Sequence, residues 1–497
     1  MVNTISKAHR LRGGRPMILL LSDVIRIVDI VLVLHMIFKE RREAISLFAW
    51  LMLFMLCPII GFILYILFGS GLKYYNRQRR LKKIQVDTLF PGQMKEQELL
   101  LEEIDVSKVL YGDLIKFNTK FGKSLLTSKN DIKIYTDGKY KYEDLLKDIE
   151  QATHSIHILY FIIKNDTIGK QLVEALIKKV RQGVEVRVVY DDAGCFTTPY
   201  SMFKTLVEEG GIVLKFLPSI FKILGLNLNY RNHRKIVVID GQIGYTGGMN
   251  IGDEYMSINT KLKPWRDTHI RIVGETVNML QIRFLQDYMF ALKDEEEAKK
   301  IRANIRDYLP KTLCTKELYM QIVNSGPDLK TEDIKSAYVK MIYSAKKCIY
   351  IETPYFVPDC IFMHAIKSAA LAGIDVHILL PSLPDKRFVY RATTSYIAEL
   401  LDAGIKVYLY QGFLHSKCML IDNVITAIGS TNIDTRSFKI NFEISAFIYD
   451  PDFTEKMMSI IHNDIRSSKE VTKEDEKNKP AWIKYEESVC RLLYFMM

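Results

Sequence analysis

A histidine and a lysine two residues apart can serve phosphoryl chemistry. The imidazole attacks phosphorus or moves a proton, and the ammonium neutralises charge developing on the phosphate oxygens. The sequence holds this pair twice, as His233 and Lys235 in "RNHRKIVVIDGQIGYTGGMN" and as His415 and Lys417 in "GFLHSKCMLID", which runs on to "AIGSTN". The copies agree further along. Asp240 and Asp422 lie seven residues after their histidines, Gly247 and Gly429 fourteen, and Asn250 and Asn432 seventeen. One His-x-Lys is close to noise, whereas agreement at several offsets marks an internal repeat.

Side chains two apart share a strand face, so each lysine stands beside its own histidine. A lysine is poor company for a base unless a phosphate sits between them. Asn250 and Asn432 can add amide donors to that phosphate, and the Ser430 hydroxyl another, while Gly247, Gly248 and Gly429 let the backbone come close. Each imidazole also needs an acidic partner to orient it and stabilise its cationic form. Aligning the strands that start "WRDTHIRIVG" and "NFEISAFIYD" nominates Asp267 for His233 and Glu443 for His415, with Glu254 a rival for the first. Asp240 and Asp422 complete the candidate catalytic set of His233, Lys235, His415 and Lys417. Their place at a strand's end suits holding a turn or backbone amides better than touching substrate. No carboxylate-rich cage for a divalent ion is present, so neither metal nor cofactor is expected.

The elements that must position these residues alternate. "SIHILYFII" (155–163), "GVEVRVVYDD" (183–192), "GGIVLKFL" (210–217) and "HRKIVVID" (233–240) read as strands separated by helical stretches. The second half repeats the order with "KCIYIETPYFV", "AGIDVHILLP", "AGIKVYLY" and "HSKCMLID". This is an α/β pattern with a mixed, largely parallel sheet in each half. The first half carries an extra apolar piece, "SIFKILGLNLNY" (219–230), just before His233. Expected boundaries are an N-terminal segment 1–83, a connector 84–130, repeats over 131–292 and 293–470, and a tail 471–497 with no assigned role.

The N-terminal segment reads as a membrane hairpin. Residues 44–69, "AISLFAWLMLFMLCPIIGFILYILFG", contain no charge and exceed the roughly 20 residues of a helical span. A first span over 17–38 is less clean, because Asp23, Arg26 and Asp29 interrupt it; Arg26 could pair with either aspartate. Basic residues precede the first span and follow the second, including Lys73 and Arg77 to Lys83, which places both termini and the rest of the chain in the cytoplasm. The seven cysteines are scattered without metal-ligand spacing and read as reduced thiols. A net charge of +11 points to an anionic partner, nucleic acid or a lipid surface, and the hairpin argues for lipid.

The two motifs resemble the paired His-x-Lys-x₄-Asp motifs of the phospholipase D superfamily. The resemblance spans nearly the whole chain and is closest to bacterial cardiolipin synthases, through the hairpin, "YRNHRKIVVIDGQIGYTGGMNIGDEY", "IETPYFVPD", "TSYIAELLDAGIKVYLYQGFLHSKCMLID" and "GSTNIDTRSFKINFE". It implies two repeated domains around one pseudo-twofold active site. It further implies a phosphohistidine intermediate, with His233 the nucleophile and His415 the acid/base. The implied reaction joins two phosphatidylglycerol molecules into cardiolipin and releases glycerol, in a bacterial plasma membrane. A hydrolase, a transferase with another acceptor and a superfamily nuclease are the alternatives.

Overall fold

The computed structural model describes residues 17–35, 37, 44–68, 111–218, 230–292, 294–329 and 331–494. They fall into two units, the N-terminal helices and the body from residue 111 onward. The apolar piece 219–230 lies outside the described residues except for Tyr230.

The N-terminal unit has three helices, α1 (Met17–His35), α2 (Ala44–Leu56) and α3 (Pro58–Phe68). The single span expected over 44–69 is divided at Cys57–Pro58. Fifteen residues of straight helix would separate Trp50 from Tyr65 by about 22 Å, yet their rings meet edge-on at 5.3 Å. Proline clashes with the preceding turn, so the chain bends there, and α3 folds back on α2. No helix among the described residues is long and apolar enough to cross a membrane. Of the two pairings open to Arg26, that with Asp29 is not formed, and the side chain of Asp23 lies outside the described residues. Asp29 is buried, and its carboxylate oxygens have no hydrogen-bond partner among the described residues.

The body is built from two copies of one strand plan. The first half contributes β1 (Leu126–Tyr135), β2 (Ser155–Tyr160), β3 (Glu185–Asp191), β4 (Ile212–Phe216), β5 (Ile236–Ile239), β6 (Ile243–Gly247), β7 (Trp265–Arg266) and β8 (His269–Gly274). The second contributes β9 (Glu317–Ser325), β10 (Cys348–Glu352), β11 (Phe356–Val357), β12 (Asp375–Pro381), β13 (Lys406–Tyr410), β14 (Phe413–Leu414), β15 (Cys418–Ile421), β16 (Ile425–Gly429), β17 (Ile433–Asp434), β18 (Glu443–Tyr449) and β19 (Ser468–Val471). The order β1-β8-β6-β5-β2-β3-β4 recurs as β9-β18-β16-β15-β10-β12-β13, and β1 pairs with β9 to fuse both into one sheet of fifteen strands.

The sheet is mixed, as expected, but its pairings are mostly antiparallel. Only β2-β3-β4 and β10-β12-β13 run parallel; the motif strands pair antiparallel. The motif itself explains this. Asp240 (φ +53°) and Gly241 (φ +65°), like Asp422 (φ +53°) and Asn423 (φ +59°), occupy the left-handed region at both central positions of a tight turn. That conformation joins β5 to β6, and β15 to β16, as hairpins. The motif strands read "IVVI" and "CMLI" and are buried throughout, as strands covered on both faces require. Helix α4 (Thr276–Ala291) packs over the first of them, with Val277, Leu280 and Phe284 in the same core as Ile236 and Val238.

The described parts of the expected connector and tail, residues 111–130 and 471–494, belong to the body. Leu114 and Ile115, from the helix Gly112–Gly122, share a core with Ile334 and Met341 of the second half, and β1 begins at Leu126. β19 adds an edge strand to β13. Helix α5 (Arg387–Thr394) and the last helix, α6 (Ala481–Tyr494), pack together.

Candidate active site

His233 and His415 sit just ahead of β5 and β15, each held by a short parallel contact with the other half. The His233 N–H donates to the Phe442 carbonyl at 2.9 Å, and the His415 N–H to the Arg266 carbonyl at 2.6 Å. β14 pairs with β7 in the same way. The residues next in line are Glu443 and Asp267. His233 Nδ1 therefore lies 3.1 Å from Glu443 Oε2, and His415 Nδ1 lies 2.7 Å from Asp267 Oδ2.

This reverses the expected pairing of Asp267 with His233 and Glu443 with His415. Within one half, β6 separates β5 from β8. At about 4.8 Å per strand, the start of β8 is some 10 Å from its own histidine. Glu443 is the first residue of β18 and Asp267 lies just ahead of β8, and both reach the opposite half instead. Glu254, the rival, binds Lys164 at 2.7 Å.

Both imidazoles have a defined tautomer. His233 Nδ1 faces the Ser430 carbonyl at 3.0 Å as well as Glu443. His415 Nδ1 faces a carboxylate. These neighbours are acceptors, so Nδ1 carries the hydrogen and Nε2 is left with its lone pair. Lys235 Nζ donates to the His233 carbonyl at 2.6 Å, and Lys417 Nζ to that of His415. The repeat is thus faithful in three dimensions.

Burial dominates the electrostatics. It lowers the His415 pKa to about 4, with Lys417 adding to the effect, and it lowers that of His233. It brings Lys235 to about 7 and Lys417 to about 8. Burial works against ionisation of Glu443 too, but His233, Lys235 and the Ser430 hydroxyl outweigh it and hold the carboxyl below its ordinary value. Aromatic rings exclude water around the histidines. Phe161 stands edge-on to His233 at 5.0 Å, and Trp265, Phe413 and Tyr255 surround His415 at 5.6–6.0 Å.

The other expected ligands are used differently. Ser430 donates its one hydroxyl hydrogen to Glu443, so it holds the orienting acid rather than a phosphate. Asn250 accepts from the Ile162 N–H at 3.2 Å and donates to the Tyr255 hydroxyl at 2.6 Å. Asn432 is buried, and its side-chain oxygen has no partner among the described residues. Gly248 stands where the second copy has Ser430. A Cβ there would lie 2.0 Å from Asp267 Oδ1, so the glycine admits the carboxylate. Asp240 and Asp422 do not join the imidazoles. Asp240 accepts backbone N–H bonds from Thr153, His154 and Ser155 at 2.8 Å each; Asp422 does the same for Lys346, Lys347 and Cys348 at 2.7–3.0 Å.

Two arginines escaped the sequence reading. Arg234 is fully buried, binds Asp287 through two contacts of 2.8–2.9 Å, and donates Nε to the Glu443 carbonyl. Arg266 donates to Asp464 at 2.9 Å and to the Asp267 carbonyl. Each therefore fixes the backbone of one orienting acid. The signal was available in "HRK" and "WRD", charges inside apolar runs, but neither position repeats in the other half. No group of side chains suited to a metal ion occurs among the described residues.

The arrangement of two oriented imidazoles, each with a buried ammonium, defines the class. The chain belongs to the phospholipase D-like family that includes bacterial cardiolipin synthases. The family profile described as "Cardiolipin synthase, PLD-like domain" matches residues 145–263 and 338–465, and a "Phospholipase_D-nuclease N-terminal" profile matches 27–70. The chain is 43% identical to the major cardiolipin synthase ClsA of Bacillus subtilis strain 168, over 95% of this chain and 98% of that one. It is 42% identical to the cardiolipin synthase of Staphylococcus aureus strain Mu50, over 94% of each. Among solved structures, the phosphatidylserine synthase of Haemophilus influenzae shares the fold, with a TM-score of 0.59 at 14% identity over 78% of this chain and all of that one.

Proposed function

We propose that this protein is a cardiolipin synthase that transfers a phosphatidyl group from one phosphatidylglycerol to a hydroxyl of a second, releasing glycerol. The observation that carries the reading is the crossed site, two Nδ1-protonated imidazoles facing buried lysines in a chain over 40% identical to cardiolipin synthases along nearly its full length. His233 Nε2 attacks phosphorus, and His415 protonates the departing glycerol oxygen. The phosphatidyl group rests on His233 while the alcohols exchange. His415 then removes a proton from the incoming hydroxyl, which displaces His233. The roles of the histidines follow the family resemblance.

Lys235 and Lys417 neutralise the phosphate oxygens, with Asn432 beside them. A bound phosphodiester supplies the negative charge that the buried site lacks. It therefore raises the pKa of both lysines and of His415, so that His415 becomes competent as an acid. Glu443 and Asp267 stabilise the imidazolium forms. The apolar helices of residues 17–68 attach the protein to the bacterial membrane, with the body on the cytoplasmic side. Repeat domains over 131–292 and 293–470 each supply one histidine. Expression in a host lacking cardiolipin, followed by lipid analysis, tests the reading. Cardiolipin should appear with the unaltered chain and not with His233→Ala; phosphatidic acid in its place would make the enzyme a hydrolase.

A further inference from the structure

The last helix, α6, has a face that packing does not explain. Trp482, Tyr485, Val489 and Leu492 are 59%, 73%, 36% and 70% exposed, and Leu493 beside them is also exposed. At 100° per residue these five fall within an arc of about 100°. The opposite face anchors the helix. Cys490 and Tyr494 are buried in the second-half core, Tyr494 stacks on Phe388, and the Arg491 guanidinium lies 3.9 Å from the Tyr396 ring centre. Of the stripe, Trp482 meets the body through the Arg391 guanidinium, 5.8 Å from its ring centre, and the helix is otherwise held by its opposite face.

The acids of the helix are bound by the body. Glu486 is bound by Arg387 and Arg391, and Glu487 by Thr394 and Lys479. Both acids are thus taken up by the body, and among the described residues no free carboxylate borders the stripe. A tryptophan, a tyrosine and aliphatic side chains with their neighbouring acid neutralised by two arginines fit the boundary between headgroups and acyl chains of an anionic bilayer. The helix also leads to the site. Tyr494, at its end, lies against Asp434, two residues from Asn432, and Asp434 acts electrostatically on Lys417.

We infer that α6 is an interfacial helix, whose Trp482–Leu492 stripe seats the catalytic body on an anionic phospholipid surface and brings the site's rim to its lipid substrate. The inference rests on the lipid-transfer reading above. Every acyl methylene that leaves the bilayer for water costs free energy, so the site must be brought to its substrate.

The test uses the full chain reconstituted with phosphatidylglycerol vesicles. The chain has three tryptophans, and subtracting the emission of Trp482→Phe isolates Trp482. Vesicles with brominated acyl chains should quench that component by about half or more, as for a ring at the headgroup boundary. The Trp482→Ser/Leu492→Ser variant should melt at the unaltered temperature, since both side chains are exposed. It should lose about tenfold in turnover of vesicle phosphatidylglycerol and keep its rate, within about twofold, on a short-chain phosphatidyl ester below its micelle concentration. An unquenched Trp482 would overturn the inference, as would equal rates of variant and unaltered chain on vesicles, or equal loss on both substrates. A change of oligomeric mass in the variant would also overturn it, and assign the stripe to a second copy of this chain. An unaltered chain that makes no cardiolipin, yet shows quenching, would defeat the functional reading and leave the helix assignment standing.

Discussion

Exchanging partners between the halves has consequences for single side chains. Glu443 belongs with His233, so Glu443→Gln should mimic loss of the nucleophile, and Asp267→Asn loss of the acid/base. With a phosphatidyl ester of a good phenolate leaving group, the first step needs no proton donor. His415→Ala and Asp267→Asn should then still release phenolate, while Glu443→Gln falls by about 10³-fold or more and His233→Ala is inactive. Stopped-flow release of phenolate, with mass spectrometry of the trapped enzyme, reads this directly. Release by His233→Ala with label on His415 would reverse the roles. The lysines predict a pH dependence. Lys235, at about 7, and Lys417, at about 8, are charged below those values and lose the charge as pH rises through them. kcat/KM, which reports the free enzyme, should therefore fall with rising pH from about 4, where free His415 loses its proton, and fall more steeply between about pH 7 and 9. kcat should hold to higher pH, because bound phosphate restores both charges. A kcat/KM flat across that interval would mean that the lysines do not receive the phosphate.

At the scale of elements, the motif's aspartate and its hairpin turn are one device. Asp240 adopts the left-handed turn conformation and collects the N–H groups that precede β2. Asp240→Ala leaves those donors without their acceptor and should cost about 1–3 kcal/mol of stability. Turnover per folded molecule should stay within a few-fold, measured by thermal melting alongside activity. A collapse of kcat in a protein that melts normally would return Asp240 to the chemistry. Gly248 gives the reverse case. Gly248→Ala places a Cβ against Asp267, so it should displace the acid that orients His415 and lower kcat by roughly 10²-fold while melting changes little.

For the whole molecule, fusion of the halves through β1 and β9 and the crossed contacts at Asn232–Phe442 and β7–β14 make one catalytic body. Because each histidine draws its acid from the other half, neither half carries a complete unit. The His233→Ala/His415→Ala double variant should be no less active than the worse single variant, as for residues acting together. The N-terminal unit bears on location. A reporter fused after Lys83 should be cytoplasmic, and the protein should resist extraction by alkaline carbonate. Protease cleavage near Lys83 from outside intact cells would contradict that topology.

The sequence alone determined the repeat, the candidate site residues and the family, because all of these are matters of residue type at fixed offsets. It also located the motif aspartates at a strand's end, since spacing along one strand is local. Three things were decided only in space. The partner of each imidazole depends on how the first residues of β18 and the approach to β8 meet the opposite half, and an alignment within one half cannot see across to the other. The duties of Ser430 and Asn250 depend on which neighbour claims a limited set of hydrogen-bonding atoms. Arg234 and Arg266 were missed because they do not repeat: the two halves fix equivalent carboxylates with cations drawn from non-equivalent positions, both in the first half. The fold back of α3 onto α2 is of the same kind. Hydropathy measures how apolar a segment is, whereas the direction of the chain after Pro58 is set by the packing of Trp50, Phe54 and Tyr65.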